Sequence, residues 1–209
     1  MNERGKYVVI EGHDGTGKST QVELMREWLK SEHDIDSIEF HEPAGSPIAD
    51  EIRTILKNGS LERDGTTNML LFTAARHDIW ETRAKSALKI GKWVIAARSY
   101  LSTMAYQGYG EGLDLNLIKQ ISEISLDKNY MNPDYEFILD LDNENERFNR
   151  INQRGELENK DTFESKSDDF QERVRQGYLQ IAADRNITVI SANQSPEAIS
   201  NQIRSMIDF

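Results

Sequence analysis

The sequence predicts an α/β protein in which a five-stranded parallel sheet is covered by helices on both sides. Along the 209 residues, short apolar runs rich in β-branched and aromatic residues alternate with longer amphipathic runs. The short runs are apolar at successive positions, which is typical of strands buried on both faces. Strands that alternate with helices form parallel sheets. Because no repeat, low-complexity tract or proline-rich linker divides the chain, we expect a single domain over residues 1–209.

The expected strands are KYVVIEG, DSIEFHE, KWVIAAR, YEFILDLD and ITVIS, which begin at residues 6, 36, 92, 135 and 187. The expected helices cover residues 20–31, 48–57, 66–90, 101–106, 115–126, 145–154, 168–185 and 196–207. Parallel sheets of this kind bind ligands beyond the carboxyl ends of their strands. The residues that follow each strand are therefore the first candidates for function.

Composition limits the class of protein and its partners. The chain has no cysteine, which excludes disulfides and thiolate metal sites and agrees with a reducing compartment. No apolar run approaches the length needed to span a bilayer, so we expect a cytoplasmic protein that does not bind membranes. A net charge of -11 argues against general affinity for nucleic-acid backbones, although solubility alone explains the acidity equally well.

The segment EGHDGTGKST follows the first strand and has the spacing of a phosphate-binding loop. Its glycines allow backbone N–H groups to point at phosphate oxygens, and the start of the next helix adds partial positive charge. Lys18 is expected to reach the β- and γ-phosphates of a nucleoside triphosphate, and the Ser19 hydroxyl to bind Mg²⁺. A glycine-rich turn is the alternative. The loop alone does not distinguish a GTPase, a motor ATPase and a small-molecule kinase.

Two further segments suggest a second ligand. Glu42 and Pro43 follow the second strand in HEPAGSP, where a simple turn explains the proline and glycine equally well. Phe72 and Arg76 share one face of the helix at 66–90, and together they suit a flat base with carbonyl acceptors. A core phenylalanine beside a solvated arginine fits the same spacing.

The third strand is followed by a charged residue and then by polar residues at helical spacing. Arg98 lies just past a buried strand, where a positive charge is costly unless a phosphate or carboxylate is close. Thr103, Tyr106 and Gln107 bring hydrogen-bonding groups and an aromatic ring to one side of the next helix. By itself this pattern is also typical of an amphipathic helix.

Taken in order, these segments resemble the thymidylate kinase family. EGHDGTGKST, EPAGSP, LLFTAARHD, ARSYLSTMAYQG and QRGELENKDTFE match its motifs, and the resemblance runs from about Lys6 to the C-terminus. It implies a P-loop NTPase fold that carries out ATP-dependent phosphorylation of dTMP to dTDP, a step of dTTP biosynthesis, with Mg²⁺. It also implies a homodimer formed through helices, to which residues 66–90 could contribute.

The resemblance implies a role for each matched residue. Phe72 stacks on thymine, Arg76 and Arg98 hold the monophosphate and base, and Thr103 and Gln107 meet the base edge. Tyr106 crowds the position of a ribose 2′-hydroxyl, and Asp14 and Glu42 lie around the sugar 3′-hydroxyl and the transferred phosphate. The implied dTMP-binding residues are Asp14, Glu42, Pro43, Phe72, Arg76, Arg98, Thr103, Tyr106 and Gln107. The implied ATP-binding residues are Gly12, His13, Asp14, Gly15, Thr16, Gly17, Lys18, Ser19, Thr20, Arg150 and Arg154. The implied catalytic residues are Lys18, Arg98, Arg154 and Asp14.

A short mobile lid is expected at about residues 150–166. Arg150 and Arg154 lie four apart on one helix face, and the polar segment after them contains Gly155 and Lys160. Such a segment can close over the phosphates and supply positive charge, although an exposed helix end with ion pairs is the alternative. One form of the family carries an arginine inside the phosphate loop and the other carries basic residues in the lid. Because Gly15 stands where that arginine would be, the lid form fits, and Arg154 is the best candidate for the transition-state cation.

Three residues depart from the family pattern. Ala97 replaces an aspartate, His41 an arginine before EP, and Thr162 an arginine of the lid motif, for which Lys160 could compensate. Without a carboxylate at Ala97, Ser19, phosphate oxygens and water would form most of the Mg²⁺ shell.

Other functions stay open at this point. The chain could prefer dUMP or another nucleoside or nucleotide acceptor, or it could be a catalytically impaired nucleotide-binding homologue. A switch GTPase is disfavoured, because the sequence has no Asn-Lys-x-Asp segment and no aspartate at the end of the strand in WVIAARS.

Overall fold

A computed structural model describes residues 4–153, 163 and 166–209, and it confirms the predicted α/β fold. Its strands are β1 (Tyr7–Gly12), β2 (Ser37–His41), β3 (Trp93–Ala97), β4 (Tyr135–Asp140) and β5 (Thr188–Ser191). They form one sheet in the order β2-β3-β1-β4-β5, and every neighbouring pair is parallel. This strand order was not predicted, because it depends on contacts between distant segments.

The described helices are α1 (Lys18–His33), α2 (Pro47–Lys57), α3 (Gly65–Ile79), α4 (Lys85–Lys89), α5 (Tyr100–Thr103), α6 (Leu115–Ser125), α7 (Lys128–Met131), α8 (Glu144–Gln153), α9 (Asp168–Arg185) and α10 (Pro196–Arg204). Wider π-helical turns join α3 to α4 at Trp80–Ala84 and extend α5 at Met104–Gly110. The helix predicted at 66–90 is therefore continuous in direction but irregular in its middle. The short helix α7 was missed, because four residues are too few to show a helical period.

Local chemistry explains where several helices begin. Ser46, Asp64, Ser167 and Ser195 each precede a helix, and each side chain accepts a hydrogen bond from a backbone N–H of the first turn. Such caps satisfy N–H groups that have no partner within the helix. Helix α1 is different, since the residue before it is Gly17 with φ of 90° and it has no side-chain cap. Its first N–H groups stay available for another acceptor.

The central strands β1 and β3 are buried on both faces, as their apolar sequences predicted, whereas the edge strands β2 and β5 are partly exposed. Tyr7 and Val9 of β1 pack into the core beneath α3, α5 and α9, whereas Val8 and Ile10 pack into the core beneath α1 and α10. All six residues of β1 are buried. The central strand thus holds the loop at its carboxyl end on a rigid base. No helix in the described ranges is both long and apolar enough to cross a membrane.

Candidate active site

The loop after β1 has the backbone of a phosphate cradle. Gly12, Gly15 and Gly17 have φ of 140°, 87° and 90°, a region that residues with a Cβ atom rarely adopt. A Cβ atom on Gly12 would also clash with the carbonyl oxygen of Leu139 in β4. These glycines allow the chain to turn tightly from the sheet into the start of α1.

Two side chains of this loop lie where a phosphate group would be expected. Lys18 Nζ donates to the carbonyl oxygens of Gly12 and His13 at 2.9 and 2.8 Å, so its charged end lies over the loop. Ser19 Oγ lies 3.3 Å from Nδ1 of His41, at the end of β2. Thr16 is buried and donates to the carbonyl of His13, whereas Thr20 is exposed on α1.

His13 is a buried part of the loop wall. Its Nε2 lies 2.7 Å from Oε1 of Gln171 in α9. The pKa of His13 is lowered to about 4, chiefly by burial; the charge of Asp14 opposes this change, and the charge of Arg147 adds to it. The ring is therefore neutral at pH 7, and His13 adds no positive charge to the phosphate loop.

Asp14, Arg98 and Tyr106 form a polar cluster beside the loop. Asp14 pairs with the guanidinium of Arg98 and accepts a hydrogen bond of 2.6 Å from the Tyr106 hydroxyl. Burial raises the pKa of Asp14, but the charges of Arg98 and Lys18 outweigh burial and hold the pKa well below its usual range. Asp14 is thus a carboxylate at neutral pH. It can accept a hydrogen bond but cannot donate one.

Arg98 is held in an unusual backbone conformation. Its φ is 79°, which costs a residue with a side chain roughly 1–2 kcal/mol. Its N–H donates to the carbonyl of Ile10 at 3.0 Å, and its guanidinium donates to the hydroxyl of Ser102 at 3.1 Å. The left-handed turn directs the side chain of Arg98 toward Asp14 and the phosphate loop.

Glu11, the next-to-last residue of β1, joins the phosphate loop to helix α5. Its fully buried carboxylate accepts hydrogen bonds from the backbone N–H groups of Ser99 and Ser102 at 2.6 and 3.1 Å. It also accepts from both serine hydroxyls and from the Tyr178 hydroxyl at 3.0 Å. Arg98 donates to the hydroxyls of Ser102 and Tyr178. Glu11 therefore helps to fix the position of Arg98 indirectly, through these two residues.

A cavity of about 200 Å³ opens beside the phosphate loop. It contains all of the residues predicted to bind dTMP: Asp14, Glu42, Pro43, Phe72, Arg76, Arg98, Thr103, Tyr106 and Gln107. A smaller cavity adjoins it, and Lys18, Ser19 and Ala97 line that cavity together with Asp14 and Arg98. The two cavities share Asp14, His41, Glu42 and Arg98 in their walls, so one lies beside the phosphate loop and the other extends toward α3 and α5.

Arg76 is not the solvated arginine of the alternative interpretation, because it is only 2% exposed. Its Nε donates to Glu42 at 2.7 Å, its Nη1 donates to Thr103 at 2.7 Å, and its guanidinium lies 5.4 Å from the centre of the Phe72 ring. Burial raises the pKa of Glu42 to about 7, although Arg76 and the Tyr130 hydroxyl both lower it. Arg76 and Tyr130 both donate to the oxygens of Glu42, so these contacts favour its ionised form against the effect of burial.

Gln107 has a buried amide with no hydrogen-bonding partner in the described part of the chain. The residue is 1% exposed, and neither its oxygen nor its nitrogen has a partner there. An amide buried in this way costs free energy unless a ligand or water satisfies it. Because Gln107 lines the large cavity, the group that satisfies it is expected to bind in that cavity.

Several residues at this site were not predicted from the sequence. Phe163 lines the cavity, and its ring centre lies 6.0 Å from that of Phe72. It belongs to DTFE, a segment already matched to the family, so its position in the motif was an available signal. Glu11, Tyr130 and Tyr178 had no such signal, because their contacts join segments that are far apart in the sequence.

The predicted lid is described only at its ends. Arg150 donates to Glu146 at 2.8 Å and to the carbonyl of Ala192 at 3.2 Å, so its guanidinium lies beside the loop that follows β5. Arg154, Gly155, Lys160 and Thr162 lie outside the described residues. The roles expected for Arg150 and Arg154 therefore stay predictions.

The donor set for a metal ion is sparse among the described residues. No group of three or more histidine, cysteine, aspartate and glutamate side chains lies close enough there to hold a metal ion. Ala97 contributes no carboxylate, and Asp14 is bonded to Arg98 and Tyr106. The Ser19 hydroxyl suits a hard cation such as Mg²⁺ if phosphate oxygens and water complete the shell.

A phosphate cradle at the carboxyl end of a central strand, with a separate polar and aromatic cavity next to it, defines a P-loop phosphotransferase. Comparisons with known proteins give the family. The thymidylate kinase family model matches residues 10–203. The chain belongs to the thymidylate kinase family, as its motifs indicated.

Individual thymidylate kinases are similar to this chain over nearly its whole length. A thymidylate kinase of Halothermothrix orenii is 38% identical over 200 residues, which are 96% of this chain and 95% of the relative. One of Carboxydothermus hydrogenoformans is 36% identical over 205 residues, 98% of each chain. The crystal structure of a thymidylate kinase from Ehrlichia chaffeensis superposes with a TM-score of 0.78 at 27% identity, covering 98% of this chain and 100% of that one.

Proposed function

We propose that this protein transfers the γ-phosphoryl group of ATP to dTMP, which yields ADP and dTDP. The observation that carries the proposal is the cavity beside the phosphate loop. It is lined by the buried Arg76, the partly buried Arg98 and the Gln107 amide, which has no hydrogen-bonding partner among the described residues. A dTMP molecule presents a flat base with both a donor and acceptors, a sugar and a dianionic phosphate. The cavity offers a complementary group to each part.

The base is recognised by Phe72, Arg76 and Gln107. The Phe72 ring provides a face for stacking, and stacking of a base on an aromatic ring contributes about 1–3 kcal/mol. The Gln107 amide offers one donor and one acceptor, which match the carbonyl and the ring N–H of thymine. Thr103 holds Arg76 in place through its 2.7 Å hydrogen bond, while Pro43 adds an apolar wall.

The sugar and phosphate lie toward the phosphate loop. Asp14 accepts a hydrogen bond from the sugar 3′-hydroxyl, and Tyr106, fixed on Asp14, leaves little room for a 2′-hydroxyl. Arg98 binds the phosphate of dTMP. The ion pair of Glu42 and Arg76 lines the same cavity. Phosphate monoesters have a second pKa of about 6, so the phosphate of dTMP is largely dianionic at neutral pH. Its oxygen can therefore attack the γ-phosphorus of ATP without a general base to remove a proton.

The donor lies over the phosphate loop. The backbone N–H groups of residues 12–20 and the start of α1 bind its phosphates, and Lys18 turns from the loop carbonyls to the transferred group. Transfer then depends on in-line positioning and charge neutralisation by Lys18 and Arg98. A divalent metal, which we propose is Mg²⁺ at Ser19, would supply further charge neutralisation. We propose the segment at 150–166, most of which lies outside the described residues, as the lid over the phosphates, with Arg154 as a cation.

We also propose that the protein works as a single-domain subunit of a cytoplasmic homodimer. Helix α3 packs against α2 and α6, and these helices expose large apolar side chains. They are Ile48, Ile55, Leu70, Leu117 and Ile124, exposed by 59, 40, 50, 40 and 82%. Exposed apolar side chains on neighbouring helices favour an interaction surface there. Sedimentation should give a dimer that Ile124→Glu weakens and that Ile90→Glu, at the end of α4, does not; a monomeric wild-type protein would contradict this.

The acceptor specificity can be tested with a panel of monophosphates. With ATP and Mg²⁺, ADP release should be clearly faster with dTMP than with UMP, CMP, AMP or GMP. The dUMP rate should be only about fivefold lower, since one methyl group in an apolar pocket contributes about 1 kcal/mol. Equal rates with all acceptors would refute the specificity, and ATP and dTMP binding without dTDP formation would identify an impaired homologue. Lys18→Ala is the inactive control.

A further inference from the structure

Arg147 of α8 is a nearly buried cation without a counter-ion in the described part of the chain. It is 9% exposed, and its side chain makes no hydrogen bond or ion pair with any described residue. The other two arginines of this site are paired, the buried Arg76 with Glu42 and the partly buried Arg98 with Asp14. Burying an unpaired charge is costly, so such a side chain is expected where a ligand supplies the opposite charge.

The backbone of Arg147 is packed against the phosphate loop. A Cβ atom on Gly15 would lie 2.9 Å from Cγ of Arg147, 3.1 Å from its carbonyl oxygen and 3.5 Å from its Cα. Gly15 therefore leaves the space that the arginine side chain enters as it leaves α8. With φ of 87°, Gly15 also has a conformation that a larger residue would adopt only with strain.

The guanidinium acts on the loop electrostatically. Its charge contributes to lowering the pKa of the neighbouring His13, which places it within range of the loop residues. His13 is neutral at pH 7, and Lys18 is bonded to the loop carbonyls. Arg150, one turn further along α8, is bonded to Glu146 and to the Ala192 carbonyl. Among the described cations of α8, Arg147 is thus the one directed to the phosphate loop.

We propose that Arg147 is a further catalytic residue, whose guanidinium binds the phosphates of the donor nucleotide from the side of α8. This inference rests on the proposed function, since it assigns the donor site of that reaction. The phosphate loop of this chain carries glycine at position 15, and beside that position Arg147 supplies a second cation in addition to Lys18. Because Arg147 already lies against Gly15 in the described structure, its charge is beside the phosphate loop before a nucleotide binds.

Nucleotide binding without an acceptor tests the proposal directly. Calorimetric titration of the full chain with ATP or ADP, with Mg²⁺ and without dTMP, should give roughly 10- to 100-fold weaker binding for Arg147→Met, because a charge-assisted hydrogen bond to phosphate is removed. Arg147→Lys should lose less, since it keeps the charge but not the fork of donors. The dTMP affinity should stay within twofold of wild type. Lys30→Met, an exposed cation at the far end of α1, is the control and should change neither affinity.

Thermal unfolding distinguishes this role from a structural one. If Arg147 only packs α8 on the loop, Arg147→Met should lower the melting temperature and leave nucleotide affinity within twofold, which would overturn the proposal. If Arg147 binds phosphate, the ligand-free melting temperature should be unchanged or higher, because an unpaired buried charge is removed. If the methionine variant does not fold, the melting temperature and nucleotide affinity of Arg147→Lys are compared with those of wild type instead. A wild-type protein that binds ATP but makes no dTDP would refute the proposed function and leave this binding test intact.

Discussion

Replacement of Glu11 by glutamine should destabilise the protein strongly, although the two side chains have the same shape. The Glu11 carboxylate accepts from the backbone N–H groups of Gly12, Ser99 and Ser102 and from the hydroxyls of Ser99, Ser102 and Tyr178. Glutamine can place its oxygen toward Ser99, but its NH₂ group then faces the N–H of Gly12. Two donors that meet without an acceptor leave both groups unsatisfied in a buried site.

The magnitude follows from the hydrogen bonds that the substitution breaks. Hydrogen bonds to a charged group contribute about 1.5–3 kcal/mol each, and roughly two of them lose their acceptor on the Gly12 side of the carboxylate. We therefore expect a loss of about 3–5 kcal/mol in the free energy of unfolding. For a domain of this size, 1 kcal/mol corresponds to about 2–4 °C in Tm, so Tm should fall by roughly 6–20 °C. Arg98 and α5 should also be less well fixed, which should raise the KM for dTMP.

Urea unfolding monitored by circular dichroism measures this change, with Glu39→Gln as the matched control. Glu39 makes a partly exposed ion pair with Arg26 on the neighbouring helix α1, so the control should lose at most about 1 kcal/mol. If Glu11→Gln lost no more than Glu39→Gln, the inferred role of the buried carboxylate would be wrong. An unchanged KM for dTMP would separately refute the connection from Glu11 to Arg98.

Three further predictions concern single side chains. Phe72→Ala should raise the KM for dTMP about 5- to 150-fold through lost stacking and leave the KM for ATP unchanged; steady-state kinetics with no change in the dTMP KM would make Phe72 a core residue only. Gln107→Leu should raise the dTMP KM about tenfold without lowering Tm, since its amide has no partner among the described residues; a lower Tm would indicate a structural role instead. Burial raises the pKa of Glu136 to about 7 against the charge of Arg185, so ionisation of Glu136 costs stability as pH rises from about 4.5 through 7. Glu136→Gln should therefore be more stable than wild type at pH 8, by up to about 3 kcal/mol, and differ little at pH 5; urea unfolding with the same difference at both pH values would contradict this.

The fold was predictable because its central strands are buried on both faces and several of its helices are long. The first four residues of β1 and all five residues of β3 are continuous apolar runs, which are typical of buried strands. The π-helical turn at Trp80–Ala84 was not predictable, since a wider turn leaves the same apolar pattern on the helix face. The order of the strands depends on packing between segments, which local patterns do not encode.

The candidate site also has residues that could be predicted from the sequence and residues that could not. The residues expected to bind dTMP all line one cavity, because each follows a strand or lies on a helix over the carboxyl edge of the sheet. Glu11 and Arg147 were missed for a physical reason. Glu11 looked like the end of a strand, and its function depends on Ser99 and Tyr178, which are 88 and 167 residues away in the sequence. Arg147 lies in an exposed-looking polar helix, and only its approach to Gly15 distinguishes it from a surface charge.

The two departures from the family pattern at the strand ends are not independent. His41 and Ala97 are direct partners in the β2–β3 ladder, at the edge of the sheet where Ser19 lies 3.3 Å from His41. The arginine and aspartate that are usual at these positions would stand side by side with opposite charges. Loss of one member would leave a buried charge without its partner, which is strongly destabilising, whereas loss of both removes the pair as a unit. The joint replacement therefore leaves neither charge of the pair behind, and it does not remove Lys18, Arg98 or Arg147, the cations proposed to bind the phosphates. This favours an active kinase over an impaired homologue.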